Sequence, residues 1–309
     1  MQPLIVADQL RQGVADFLAT TFPATTPGFD ALMPHFLAEP GKLVRGPYLT
    51  IALPFRSHDA ARPLFHWLAE GFRPHAHQAR AWSRLADDAP RSTLVATGTG
   101  SGKTECFLYP ILEHCRREHA AGNKGIKAIL VYPMNALATD QAARVAQTIS
   151  ETEALRGISA GLYVGDTPAE TSNTVRKLAN GQYSCITDRD AIRDDPPDIL
   201  LTNYRMLDLL LIRSADRKLW QDNGPDTLRY LVVDELHTFD GAQGTDLACL
   251  VRRLKARLSM APGMLAAVGT SATLGTTGAG PLLDFARDVF GEPFDEDAVI
   301  GEDLSLIHI

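Results

Sequence analysis

Residues 93–104 read TLVATGTGSGKT, a short apolar run followed at once by a glycine-rich turn that ends in Lys103 and Thr104. Gly98, Gly100 and Gly102 free the backbone to curl, so that successive N–H groups point at one spot. The residues that follow are helix-forming, and a helix starting there adds the positive end of its dipole to the same spot. The pattern predicts a phosphate-binding loop. In it, Thr99, Gly100, Ser101 and Gly102 cradle the phosphates of a nucleotide, Lys103 reaches the β- and γ-phosphates, and the Thr104 hydroxyl binds Mg²⁺. One position departs from the strict pattern, because Thr97 stands where Gly or Ala is usual.

Short apolar runs recur outward from this loop, at residues 128–132, 158–163, 199–202, 228–234 and 265–269, with helical stretches between most of them. Strands that are apolar throughout and separated by helices predict a parallel sheet covered on both faces. The fold class expected is therefore α/β. In such sheets ligands bind at the carboxyl ends of the strands. The helix after the loop contains Pro110, which should kink or distort it, and its apolar face is Phe107, Leu108, Ile111, Leu112 and Cys115.

Residues 231–237 read LVVDELH, an apolar strand that ends in two carboxylates. Metal-assisted phosphoryl transfer needs one carboxylate near Mg²⁺ and a second group that orients the attacking water. Asp234 suits the first role and Glu235 the second. With the upstream phosphate loop, the pair points to ATP and Mg²⁺ as cofactors.

Together these residues resemble the superfamily 2 helicases. DELH at 234–237 resembles a DEAH box with leucine in third position, and TSAT at 270–273 resembles the SAT motif. The resemblance implies that His237, Ser271 and Thr273 couple nucleotide state to grip on nucleic acid. Gln78, in FRPHAHQ at 72–78, resembles the glutamine that reads the adenine edge, and an amide has the donor and acceptor for that; a glutamine opening a helix is the plainer alternative. YPMNALATDQ at 132–141 and LTNY at 201–204 resemble the motifs that hold the nucleic-acid backbone, which implies contacts from Asn135, Thr202 and Asn203. Met134 stands where relatives carry a hydroxyl. Gly165-Asp166-Thr167 fits the loop between these motifs. The stretch DGAQG at 240–244 reads equally as a strand-contacting loop or an ordinary turn.

The match extends over roughly residues 70–290 and is most specific for the MrfA/YprA-type bacterial DNA helicases of the Ski2-like branch. It is carried by YPMNALATDQ, PPDILLTNYRMLDLLL and DELHTFDGAQGTDLACLVRRLKARL. It implies a RecA-like first helicase lobe that binds Mg-ATP and nucleic acid. In the intact protein it implies ATP-driven movement on DNA, 3′ to 5′, in repair or in defence against foreign DNA. Two other readings stay open: a translocase subunit that does not separate strands, and a nucleotide-dependent binding module without turnover. A small-molecule kinase would explain neither SAT nor TNY.

The division expected is an N-terminal accessory region at 1–68, with an amphipathic helix over 4–18 and a strand at 48–55. A RecA-like domain follows at 69–292, and 293–303 starts a linker to a second RecA-like domain. The last six residues, LSLIHI at 304–309, match the translation of a transposon end used as a sequencing adaptor and are expected to be an artefact. Of the 309 residues 45% are hydrophobic, and the net charge of −7 argues against binding nucleic acid by bulk electrostatics alone. The four cysteines form no Cys-x-x-Cys pair, which argues against zinc, and their scattered use suits a reducing cytoplasm. His75 and His77 invite a metal reading, but no Cys or acid accompanies them nearby. The N-terminus does not read as a signal peptide, and no apolar run reaches membrane-spanning length.

Overall fold

The computed structural model describes residues 3–23, 25–29, 32–39, 43, 54–58, 65–98, 100–165, 171–272 and 279–304. The chain divides into two compact units, Met1–Leu53 and Pro54–Ile309. In the first, helix α1 (Pro3–Thr21) is the amphipathic helix expected, and α2 (Leu32–Ala38) follows it. Residues 48–53 of the expected strand lie outside the described residues; Phe55 makes an isolated antiparallel bridge to Leu304 in the second unit.

The second unit opens with α3 (Ala76–Leu85), then β1 (Thr93–Ala96), α4 (Lys103–Ala120), β2 (Ala128–Tyr132), α5 (Asn135–Glu151) and β3 (Ala160–Tyr163). A small hairpin of β4 (Arg176–Lys177) and β5 (Tyr183–Ser184) leads to α6 (Arg189–Asp194), β6 (Ile199–Asn203) and α7 (Tyr204–Ile212). The chain continues through β7 (Tyr230–Val233), α8 (Gly241–Arg257), β8 (Ala266–Ser271), α9 (Gly280–Phe290) and β9 (Val299–Gly301). Seven strands form one sheet in the order β3-β6-β2-β7-β8-β1-β9, and every neighbouring pair is parallel.

Alternation along the central strands builds the two faces. Ile129 and Val131 join Leu247, Leu250 and Phe290 in one core, whereas Ala128, Leu130 and Tyr132 join Phe107, Ile111, Val145 and Ile149 in the other. Both faces are buried, so the strands carry no polar alternation, as a parallel sheet between helices demands. Helix α4 runs on through Pro110. Strand β9, inside the segment 293–303, was not among the strands read from the sequence; three residues without a strong apolar run leave little periodicity to see.

At the amino ends of β2 and β6 a buried ion pair ties the sheet. Lys127 Nζ lies 2.8 Å from Asp198 Oδ1, with 2% and 9% of the side chains exposed. Asp198 Oδ2 accepts the Ser159 N–H and hydroxyl at 2.8 and 2.9 Å. Among the described residues no helix is long and apolar enough to cross a membrane.

Candidate nucleotide site

The loop after β1 leads straight into α4. Gly100 and Gly102 both hold left-handed backbone, at φ +78° and +76°, and Gly102 caps the helix. The φ of Gly102 is what favours glycine there; a Cβ would press on the amide end of Gln78, a flexible side chain able to shift. Thr97, the departure from the usual pattern, is buried, and its hydroxyl braces the loop against Ser101 Oγ at 2.7 Å. The Ser101 hydroxyl therefore faces the loop itself, and Ser101 can serve a phosphate only through its backbone. Thr99 lies outside the described residues.

Helix α3 holds the loop from outside. The buried His77 ring places Nε2 2.7 Å from the Ser101 carbonyl, an N–H donated to the phosphate loop. Burial lowers His77 below the usual histidine range, which keeps it neutral and fit for that single donation. Gln78 accepts the His75 N–H at 2.9 Å and donates to the Gly102 carbonyl at 3.3 Å. It reaches the cleft, but both ends of its amide are engaged by the chain; reading adenine requires an exchange of partners.

The acidic pair stands at the end of β7. Lys103 Nζ lies 3.5 Å from Glu235 Oε1, across 132 positions of sequence. Lys103, Thr104, Asp234 and Glu235 line one cleft of about 570 Å³, together with Gln78 and Gln141. Glu235 adopts φ +50°, a left-handed backbone that a non-glycine residue keeps only where its surroundings impose it. Its Oε2 is buried and accepts no hydrogen bond among the described residues, with His237 Nδ1 at 3.4 Å. Burial pushes the Asp234 carboxyl above its usual range and the Glu235 charge adds to this, while the Thr270 hydroxyl and Lys103 oppose it. Two crowded, partly uncompensated carboxylates beside a lysine and a threonine hydroxyl suit a divalent cation with phosphate.

Two residues to which the sequence reading gave no role of their own hold the acids and Thr104 in place. Thr270, 1% exposed, donates to Asp234 Oδ1 and accepts the Glu235 N–H at 3.0 Å. The parallel register that opposes Val233 to Gly269 brings them together, and no linear motif shows such a pairing. Gln141 Oε1 accepts the Thr104 hydroxyl at 3.4 Å. Of the residues for which the resemblance implies coupling, two lie side by side: Ser271 Oγ is 3.3 Å from His237 Nδ1. Thr273 lies outside the described residues.

Of the nucleic-acid contacts expected, Asn135 and Asn203 are brought together, with Asn203 Nδ2 donating to Asn135 Oδ1 at 2.6 Å. Asn203 Oδ1 also caps α7 through the Met206 N–H at 2.8 Å. Thr202 is a correction. It is fully buried and its hydroxyl donates to the Tyr163 carbonyl at 2.7 Å, so it pins β6 to β3 and presents no hydroxyl outward. A strand-end threonine alternates inward or outward with register, which sequence alone leaves open. Asp166 and Thr167 lie outside the described residues, and 241–244 open helix α8.

Comparisons with known proteins bear on the family and the fold. The family model described as DEAD/DEAH box helicase matches residues 75–279. The Druantia protein DruE of Escherichia coli (strain UMEA 4076-1) is 28% identical over 84% of this chain and 19% of its own length. The ATP-dependent helicase YprA of Bacillus subtilis (strain 168) is 28% identical over 59% of this chain and 20% of its own. The chain thus spans about a fifth of the length of these two relatives. Among solved structures, that of the DUF1998 helicase MrfA bound to DNA superposes with a TM-score of 0.58 at 21% identity, covering 82% of this chain and 32% of that one, a likeness of fold.

Proposed function

The chain belongs to the DEAD/DEAH box helicase family, and from that premise we propose that it is the Mg-ATP-binding lobe of an ATP-driven nucleic-acid motor. The observation that carries the reading is the approach of Lys103 to Glu235 at 3.5 Å within the cleft that Thr104 and Asp234 share. Backbone N–H groups of the glycine loop hold the phosphates and Lys103 neutralises the terminal ones. Thr104 and Asp234 are the residues for Mg²⁺, which when bound offsets charge on the β- and γ-phosphates. Glu235 orients the attacking water and takes its proton, with Lys103 Nζ 3.5 Å from one carboxylate oxygen and His237 Nδ1 3.4 Å from the other. Ser271 and His237 relay the state of the site.

DNA is the nucleic acid favoured, from the resemblance of 132–141 and 234–258 to MrfA/YprA-type helicases, as are 3′ to 5′ movement, a repair or defence role and a cytoplasmic setting. Turnover at motor rates needs a second RecA-like lobe, whose arginine finger is worth about 10³–10⁵ in rate in related phosphoryl-transfer systems. We place the lobe described here at residues 69–292 together with strand β9 (Val299–Gly301), which pairs with β1 and completes its sheet, after an accessory region at 1–68.

Binding of a fluorescent ATP analogue with Mg²⁺ to the full chain tests the reading. Lys103→Ala is expected to weaken binding at least about tenfold, equivalent to 1.4 kcal/mol. Unchanged binding would remove the nucleotide site. Single-stranded DNA and RNA titrated in parallel separate the two nucleic acids. Strand displacement beside phosphate release, once the second lobe is present, separates unwinding from translocation alone.

A further inference from the structure

We propose that Met134 selects the sugar of the bound strand: its exposed thioether side chain packs against deoxyribose and penalises ribose, so that this lobe prefers DNA to RNA. The inference rests on the proposed function, because it names the residue that discriminates between nucleic acids at the edge that holds them.

Met134 serves neither of the purposes that local structure offers it. It is the N-cap of α5, at φ −135° and ψ 147°, where its carbonyl accepts the Ala138 N–H at 3.1 Å. Serine, threonine, aspartate or asparagine at that position would also satisfy an open N–H of the first turn, and methionine makes no such bond. Nor does Met134 fill the core, because it is 62% exposed. The apolar residues that α5 buries begin only at Ala138 and run through Ala142, Val145, Ala146 and Ile149. One exposed methionine is ordinary on a surface. One that gives up a helix cap to stand there breaks a local rule with no gain inside the lobe, which points to a contact outside it.

Its surroundings define that contact. Strands β2 and β6 run in register with Tyr132 opposite Asn203, so Met134 and Asn135 leave the sheet beside Asn203. Asn203 Nδ2 donates to Asn135 Oδ1 at 2.6 Å, and a Cβ on Gly165 would lie 3.7 Å from Asn135 Nδ2. The carboxyl ends of β2, β6 and β3 thus meet in one edge, built by Met134, Asn135, Gly165 and Asn203. None of these four carries a charge, and the neighbouring Thr202 hydroxyl is turned inward to Tyr163. Amides and backbone N–H groups hold phosphates by hydrogen bonds. A strand held by its phosphates lays its sugars between them. A thioether has no hydrogen to donate to an anion, so the flexible methionine beside Asn135 meets a sugar.

The two sugars differ at the atom that matters for such a contact. Deoxyribose turns a C2′ methylene towards the side chain, and burying it is favourable. Ribose turns a hydroxyl there, which is both donor and acceptor. The thioether sulfur is only a weak acceptor, so the hydroxyl loses water and gains little in return. The hydroxyl is only partly dried at an exposed edge, which places the discrimination at the low end of the cost of an unmet polar group, about fivefold.

Equilibrium binding of the full chain to oligodeoxyuridylate and oligouridylate of one length, with Mg-AMPPNP, isolates the 2′-hydroxyl, because the bases are identical. The wild type is expected to prefer the deoxy strand by at least about fivefold. Met134→Leu keeps an apolar contact and should keep that ratio. Met134→Ser sets a hydroxyl against the 2′-hydroxyl and should bring the ratio to within about twofold of unity. Its urea-unfolding midpoint should equal or exceed that of the wild type, since serine caps α5, which separates a lost preference from lost folding. The inference is overturned if the wild type binds both strands equally or prefers RNA, if Met134→Leu loses the ratio, or if Met134→Ser keeps it. A lower midpoint for Met134→Ser also overturns it, by making the methionine a residue of the fold. If neither strand binds, the proposed function falls first and takes this inference with it.

Discussion

Thr270 donates its hydroxyl hydrogen to Asp234 from the neighbouring strand, and the same oxygen accepts the Glu235 N–H at 3.0 Å. One buried side chain thus fixes the aim of Asp234 and the unusual backbone of Glu235. Thr270→Val keeps the shape and removes both bonds, leaving a buried donor and a buried acceptor unmet. It is expected to cost about 1–3 kcal/mol of stability and to weaken Mg²⁺-dependent nucleotide binding, while Thr270→Ser stays near wild type. Denaturant unfolding and a Mg²⁺ titration of nucleotide binding check this.

Glu235→Gln keeps the size of the side chain and loses the base. Nucleotide binding is expected to persist, because the phosphate loop and Lys103 are intact. Nucleic-acid-stimulated phosphate release, measured with the second lobe present, is expected to fall by about 10²–10⁴. Unchanged release would favour a binding module whose acids are structural.

The ion pair of Lys127 and Asp198 is almost dry, so its two members depend on each other. Asp198→Ala strands the lysine and also removes the acceptor of the Ser159 N–H and hydroxyl. A loss of about 3–5 kcal/mol is expected in urea unfolding. Replacing both partners by apolar residues of similar volume should recover most of it.

Acid sensitivity has an identifiable contributor in His114, whose ring meets Tyr230 at 5.4 Å between centroids. Burial lowers His114 from 6.5 to about 4. Between those values the unfolded chain takes up a proton that the folded chain refuses, so stability falls as pH drops through this window and is unaffected above it. The contribution is at most about 3 kcal/mol. Comparing wild type with His114→Phe by urea unfolding at pH about 7.5 and about 4.5 isolates it, since the variant should lose less on acidification.

The parts legible in the sequence were those where a local pattern and its chemistry coincide. Gly100 and Gly102 before Lys103 hold left-handed backbone, and the acids of DELH follow an apolar strand, so loop, sheet class and cleft could all be read in advance. The parts that stayed hidden depend on which strand lies beside which. Thr270 meets Asp234 only because β8 pairs with β7, and Thr202 turns inward only because of its register with Tyr163. Gln141 belonged to a motif read for nucleic acid, yet its side chain faces Thr104, because a helix presents different residues to different neighbours. Thr97 looked like a flaw in the loop and proves to be its brace.

Strand β8 lies between β7 and β1 in the sheet. The lysine loop and the acids therefore start two inter-strand steps apart, a span of about 9.5 Å laid down by backbone hydrogen bonding. This gauge belongs to the scaffold, and it allots a fixed reach to whatever must meet in the middle. Loops around the cleft can lengthen or drift in sequence without changing it. Shortening the acid by a single methylene at position 235, or slipping one strand past its neighbour, would leave the gap open however well each motif was preserved.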